Sequence, residues 1–188
     1  MNAATPELKH DWSVTDIETI YTLPLPDLLF RAQTVHRAHH RATEVQGCML
    51  LSIKTGGCPE DCAYCPQSAH YKTDVTRSEL VSLEDLTAAA VQAKEQGATR
   101  FCMGAAWRDV PTKGSAFNQV LDMVRVVRDL DMEACCTLGM LTQDQADALA
   151  EAGLTAYNHN LDTSPEFYGG IVSTRDYEDR LETIDRVR

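Results

Sequence analysis

From residue 46 onward the chain repeats one pattern, a short apolar run followed by a longer stretch with apolar residues at helical spacing. The runs are 48–55 (CMLLSIKT), 99–104 (TRFCMG), 132–138 (MEACCTL) and 154–161 (LTAYNHNL). Apolar runs alternating with amphipathic segments are the signature of βα units, in which parallel strands are covered by crossover helices. Four such units in series predict an α/β fold. Periodicity alone is compatible with both an open doubly wound sheet and part of a barrel.

The helical segments carry their own stops. One is expected to open at Ser82, with Asp85 as the reciprocal capping-box partner, to align Leu83, Leu86, Ala90 and Lys94, and to end at Gly97. The next carries Phe117, Val120, Leu121 and Val124 on one stripe. A third opens at Thr142 with Gln145 in the box position and ends at Gly153. The last runs from about Thr174 to the end, with Asp176–Arg180 and Glu182–Arg186 as solvent-side pairs and Tyr177, Leu181 and Ile184 facing inward. Residues 1–45 read differently. They are polar and helical, with 24–43 as the main element, Pro24 and Pro26 at its start, and Leu28, Leu29, Ala32 and Val35 at helical spacing. The expected organisation is an N-terminal helical extension, 1–45, followed by the βα region, 46–188.

Charge narrows the function. With 17 Lys+Arg against 28 Asp+Glu the net charge is −11, so no broad basic surface is available for nucleic acid or anionic lipid. The opening MNAATPELKHDWSV has no apolar segment of a secretory leader, and no apolar run approaches the ~18 residues of a membrane span. A soluble, cytoplasmic protein is expected. Seven cysteines are an odd number, and three crowd into the loop GCPEDCAYCPQS at 57–68. In a reducing compartment that points to metal or redox chemistry before disulfides.

Cys58, Cys62 and Cys65 follow a C-x3-C-x2-C spacing. Structural zinc takes four ligands, usually from paired knuckles, and no second pair follows at such spacing. Three thiolates on one tight loop suit a cubane iron–sulfur cluster that leaves one iron open to a substrate or cofactor. Gly56, Gly57 and Pro59 let the backbone wrap closely. Zinc and plain structural thiols are the alternatives. Asn158, Asn160 and Asp162 alternate along an expected strand and so share one side, as a ligand site would require, with His159 pointing the other way. A strand-end turn is the alternative there. Adjacent strand residues face opposite sides, so Cys135 and Cys136 cannot share one. By themselves Cys102, Cys135 and Cys48 read as core thiols. His36, His39 and His40 read as a solvated helix face.

The C-x3-C-x-aromatic-C motif, with Tyr64 before the third cysteine, resembles the radical S-adenosylmethionine (SAM) enzymes. The segments LSIKTGGCPEDCAYCPQSAHY at 51–71, FCMGAAWR at 101–108, ACCTLGML at 134–141 and AYNHNLDTSPEFY at 156–168 resemble the biotin synthase family from residue 45 onward. The resemblance implies a partial (β/α) TIM-type radical SAM barrel of about four βα units. It implies a [4Fe–4S] cluster on Cys58, Cys62 and Cys65, with SAM on the fourth iron, Tyr64 near the adenine, and Gly104 and Ala105 against the SAM amino group. Asn158 and Asn160 are implied contacts of dethiobiotin, and Asn160 and Asp162 of the SAM ribose. Cys102 and Cys135 match two of three cysteine ligands of a second, [2Fe–2S] cluster that donates sulfur, which leaves Cys136 facing the helices. The implied reaction is sulfur insertion converting dethiobiotin to biotin, with no catalytic side chain assigned because the cofactors carry the chemistry. An electron donor such as flavodoxin and a homodimer in the full-length protein are also implied. Another radical SAM enzyme and a non-catalytic metal-binding fragment stand as alternatives.

A closed (β/α) barrel takes ~250 residues and rarely fewer than ~200. Four units are too few to close one, no cysteine follows Cys136, and the chain stops inside an amphipathic helix. These 188 residues are therefore expected to be the N-terminal half of such an enzyme, able to bind the first cluster but not to make biotin.

Overall fold

A computed structural model describes residues 8–112 and 114–188. Residues 1–7, part of the stretch read above for a leader, lie outside the described residues. The chain divides into two compact units, Met1–Val45 and Gln46–Arg188.

In the first unit, α1 (Val14–Tyr21) was not expected as a separate helix. Its signal was present in the sequence as Ser13-x-x-Asp16, which forms a complete capping box, with Lys9 Nζ 2.7 Å from the Asp16 carboxylate. Helix α2 (Leu25–His39) starts behind Pro24, with Pro26 in its first turn where no hydrogen bond is lost. The His36 and His40 rings stack at 5.5 Å, and His36 and His39 are half-buried rather than fully solvated.

The second unit holds β1 (Cys48–Lys54), α3 (Leu83–Glu95), β2 (Arg100–Ala105), α4 (Ala116–Asp129), β3 (Glu133–Thr137), α5 (Gln143–Ala152), β4 (Leu154–Tyr157) and α6 (Tyr177–Val187), with a short 3-10 helix at Pro165–Gly170. The four strands pair in parallel in the order β1-β2-β3-β4. A doubly wound sheet reverses its strand order at a switch point, whereas a (β/α) barrel adds strands in sequence order. The sheet is therefore an arc of a barrel. Helices α3, α4, α5 and α6 neighbour one another in turn.

Strand parity sets the two faces. Ile53, Phe101, Met103, Ala134 and Cys136 point to the helices and are nearly inaccessible, packed with Leu86, Val120, Met123, Val124 and Leu149. Cys48, Leu50, Cys102 and Cys135 are of opposite parity and occupy the other face, where Leu50 is 72% exposed. Polar residues collect at the carboxyl ends of the strands, where a barrel places its ligands.

The caps at Thr142 and Gly153 form as expected, with Gly153 at φ 99°. Four expectations are corrected. Asp85 does not reach back to the Ser82 backbone; its carboxylate accepts from Ser82 Oγ at 2.7 Å. The inward face of α3 is Leu86, Ala90 and Ala93, because Leu83 lies in the exposed first turn and Lys94 reaches the Leu130 carbonyl. Strand β4 stops at Tyr157, so Asn158 to Asp162 form a loop rather than a strand. In α6, Asp176 caps the helix through Asp179, while Arg180 and Thr183 are the buried residues and Leu181 and Ile184 are half-buried. A carboxylate at the strand ends pulls Arg180 inward, which no count of apolar spacing registers. Glu182–Arg186 pairs at 2.6 Å as expected.

The loops after β2 and β3 are stapled together. Met140 N donates to the Arg108 carbonyl at 2.8 Å and Val110 N to the Met140 carbonyl at 3.0 Å. Gly139 sits between them at φ +94°, and a Cβ there would fall 2.6 Å from the Trp107 carbonyl oxygen and nearer still to that of Arg108. Those neighbours are backbone and cannot swing away. Gly139→Ala is therefore expected to destabilise the chain by about 2–4 kcal/mol, combining left-handed strain with a backbone clash. Urea unfolding of the two proteins checks this, and equal midpoints would refute it.

Candidate functional site

The loop after β1 is built to hold three thiols in a small closed ring. Gly56 and Gly57, at φ 69° and 70°, turn the chain, and Gly56 N donates to Gln67 Oε1 at 2.5 Å. Cys58 and Ser68 then pair like strand residues, Cys58 N donating to Gln67 O at 3.0 Å and Ala69 N to Cys58 O at 2.7 Å. Residues 58–68 are closed at the base. Cys58 and Cys62 are buried, Cys65 is half-buried, and all three border one cavity of about 300 Å³. Burial pushes the free Cys58 and Cys62 thiols up; the nearby Arg175 guanidinium pulls both the other way. A buried thiol of this kind ionises once a cation supplies the opposing charge.

The ring is fastened to the chain beyond β4. The Asp61 carboxylate accepts from the backbone N–H groups of Ser173 at 2.9 Å and Thr174 at 3.2 Å, and Ala63 N donates to the Ile171 carbonyl at 2.9 Å. The Ser173 hydroxyl, which also donates to Asp61, and then the Ser173 and Thr174 backbone N–H groups hold its carboxyl well below the usual carboxylate range. Glu60 pairs with Arg175 at 2.8 Å and Arg108 at 3.2 Å.

Behind the thiols lies a buried charge network. Asp162 follows β4 at φ 68°, a left-handed turn that aspartate tolerates. Its Oδ1 accepts from the Tyr64 hydroxyl at 2.5 Å, and its Oδ2 lies 2.9 Å from Arg180 Nη2 and 3.3 Å from Arg175 Nη2. Burial alone would raise the Asp162 carboxyl, but Tyr64 and the two guanidinium groups outweigh it and hold it low. Burial first, then Asp162, pushes the Tyr64 phenol up, so it stays protonated as a donor. Arg175 also meets the Tyr168 hydroxyl at 2.9 Å and Cys62 Sγ at 3.5 Å. Lys54 Nζ ties the ends of β1 and β2 through the carbonyls of Gly56 at 2.8 Å and Ala106 at 3.1 Å.

Gly104, Ala105, Asn158, Asn160 and Asp162 border the same cavity as the three thiols. His159 borders it too, turned toward Arg180 at 3.3 Å and tilted against the Tyr157 ring. Burial, then Arg180 and Arg175, lowers its pKa from 6.5 to about 4. Between those values the unfolded chain binds a proton that the folded chain rejects, so this contribution is full above pH 6.5 and lost as pH falls toward 4. The parent is expected to lose about 2 kcal/mol more than His159→Gln between pH 7 and pH 4.5, after discounting for the half-exposed ring. Denaturant titrations of both proteins across that range test it, and parallel pH curves would refute it.

A second group of thiols lies deeper on the open face. Cys102 and Cys135 are register partners across β2 and β3, and Asn158 Nδ2 donates to Cys135 Sγ at 3.2 Å. Cys136 points to the helices at 0% exposure. Cys48 corrects an expectation. It is exposed rather than core, with Sγ 3.4 Å from Cys102 Sγ, because its parity in β1 is that of Leu50 and opposite to that of Ile53. Sequence reasoning missed Glu60, Asp61, Arg108, Arg175 and Arg180. Only the loop string hinted at the two acids, and their partners Thr174 and Arg175 lie more than 110 residues away.

Among the described residues no three His, Cys, Asp or Glu side chains are placed to hold a single metal ion. Three thiols on one closed ring that opens on a single cavity are a donor set that fits a [4Fe–4S] group, which takes one thiolate on each of three irons.

Parallel strands added in sequence order, with a thiol ring after the first and a cavity across their carboxyl ends, define a barrel-type domain built around a thiol-held cofactor site. Residues 52–188 match the family model of the radical SAM superfamily, and the chain belongs to that superfamily. It is 62% identical over 182 residues to a biotin synthase of Myxococcus xanthus (strain DK1622), covering 97% of this chain and 52% of that protein. It is 59% identical over 188 residues to a biotin synthase of Methylorubrum populi, covering 100% of this chain and 55% of that protein. The chain thus spans about half the length of the curated relatives it matches. The crystal structure of methylornithine synthase aligns with TM-score 0.70 at 15% identity, over 95% of this chain and 52% of that one, and at that identity the likeness is one of fold. Among the described residues no helix is long and apolar enough to cross a membrane.

Proposed function

We propose that this chain carries the SAM- and cluster-binding part of a biotin synthase, which converts dethiobiotin to biotin. The observation that carries the reading is the shared cavity. Cys58, Cys62 and Cys65 border it together with Asn158, Asn160 and Asp162, at the strand ends where barrels bind ligands. Similarity to biotin synthases over the whole chain supports the choice within the superfamily.

Cys58, Cys62 and Cys65 would hold a [4Fe–4S] cluster. When bound, the cluster and SAM supply one-electron chemistry that generates a radical able to remove hydrogen from unactivated carbon. The chain's residues orient and shelter that chemistry. Gly104 and Ala105 present no bulk at the end of β2 and leave room for the SAM amino group. Tyr64 borders the cavity where an adenine ring would lie, and its hydroxyl now occupies Asp162 Oδ1, an acceptor that a ribose hydroxyl can take over. Asn160 offers a further polar contact to the ribose, and Asn158 and Asn160 orient the dethiobiotin ring. Arg175 and Arg180 hold Asp162 ionised so that it accepts and does not donate. Cys102 and Cys135 supply two thiolates toward a [2Fe–2S] group. A flavodoxin-like electron donor and a homodimer belong to the same reading for the full-length enzyme.

Anaerobic reconstitution with iron, sulfide and reductant tests the proposal. The expected result is ~4 iron per chain in a cubane with an EPR signal that shifts on adding SAM, and no biotin formed from dethiobiotin by this chain alone. Bound zinc in place of iron, or a cluster signal indifferent to SAM, would overturn it.

A further inference from the structure

Cys48 is the thiol of the open face that neither the superfamily match, which begins at residue 52, nor the proposed function employs. It lies on β1 opposite Arg100, and Cys102 lies two residues on along β2, opposite Leu50. Parity brings both side chains to the same face, and their sulfur atoms stand 3.4 Å apart. Two sulfurs in contact need to close by little more than 1 Å to reach a disulfide at ~2.05 Å. Cys48 is exposed while Cys102 is 8% exposed, so a reagent in solution meets Cys48 first and reaches Cys102 through it. Cys135, at 1% exposure, is engaged by the Asn158 amide.

We propose that Cys48 and Cys102 form a thiol–disulfide modification site whose co-reactant is a low-molecular-weight disulfide. The Cys48 thiolate attacks one sulfur of that disulfide, forming a mixed disulfide and releasing one small thiol. The Cys102 thiolate then attacks the Cys48 sulfur, forming the internal bond and releasing the second small thiol. Two cysteines are oxidised, one small disulfide is reduced to two thiols, and the two protons and two electrons balance. Reduction by a dithiol reverses both steps. The consequence for the second cluster rests on the proposed function: the internal bond takes away Cys102 as a ligand, which makes cluster loading at that site conditional on the thiol state of Cys48.

The chain, prepared reduced and without cluster, is treated with oxidised glutathione and mapped by peptide mass spectrometry without reductant. The expected result is a Cys48–Cys102 linked peptide pair and a loss of about 2 Da, the two hydrogens. In Cys48→Ser, Cys102 is expected to be recovered as free thiol under the same treatment. Cys102 linked to Cys135, or Cys48 recovered only as its glutathione adduct with Cys102 reduced, would overturn the proposal. The map of the unsubstituted chain decides the question even if Cys48→Ser does not fold. Crosslinking here with failed reconstitution on Cys58, Cys62 and Cys65 would sink the proposed function alone; the reverse result would sink the disulfide site alone.

Discussion

Arg175→Met is expected to lose about 3–5 kcal/mol of stability, the largest loss from any single polar substitution in this chain. The Arg175 side chain is 3% exposed and pairs with Glu60 at 3% and Asp162 at 1%. Removing a guanidinium from such a site strands buried carboxylates, and that desolvation cost exceeds what the pair contributes when intact. Each acid keeps a second cation, Arg108 for Glu60 and Arg180 for Asp162, which places the loss toward the lower end. Arg175→Lys is expected to recover only part of it, because an ammonium cannot serve Glu60, Asp162 and the Tyr168 hydroxyl from one planar fork. Chemical unfolding of the three proteins at neutral pH is the measurement. A loss below about 1 kcal/mol for Arg175→Met would show that the network does not fasten the thiol ring.

Cys62→Ser is expected to abolish cluster uptake while leaving the fold nearly intact. Serine is close in volume, and the ring at 58–68 is closed by backbone bonds that do not use the sulfur. A hydroxyl is a poor ligand for iron where a thiolate is required. Iron and labile sulfide per chain should fall to near background after reconstitution, and the EPR signal should vanish. Cys136→Ser supplies the contrast. That thiol is fully buried among Met103, Val124 and Leu149, so the variant should bind iron like the parent but lose about 1–2 kcal/mol to an unpaired hydroxyl. Parent-like iron in Cys62→Ser would overturn the placing of the cluster on the loop ring, and iron loss in Cys136→Ser would overturn the placing of that thiol away from the cluster.

Much of this molecule was legible in the sequence. Alternating apolar runs and amphipathic stretches predicted four strands and the helices that follow them, because a parallel strand reads as a short continuous apolar run and its crossover helix as a stretch of 3.6-residue period, both local patterns. The caps at Thr142 and Gly153 were readable because capping is local. The three thiols at 58–68 were readable for the same reason: their chemistry depends on spacing within a single loop.

What the tertiary structure decided involves partners far apart in the chain. Periodicity could not choose between an open sheet and a barrel arc, since both repeat the same unit; the strand order β1-β2-β3-β4 did. The inward turn of Arg180 and the burial of Arg175 follow from carboxylates at Asp162 and Glu60, and the local sequence around a charged residue carries no sign of a distant counter-ion. Cys48 reads as core by its apolar neighbours, yet its parity in β1 places it on the open face beside Cys102. Local pattern determines which segments become strands and helices; which charges and thiols meet is settled only when register and strand order bring distant residues into contact.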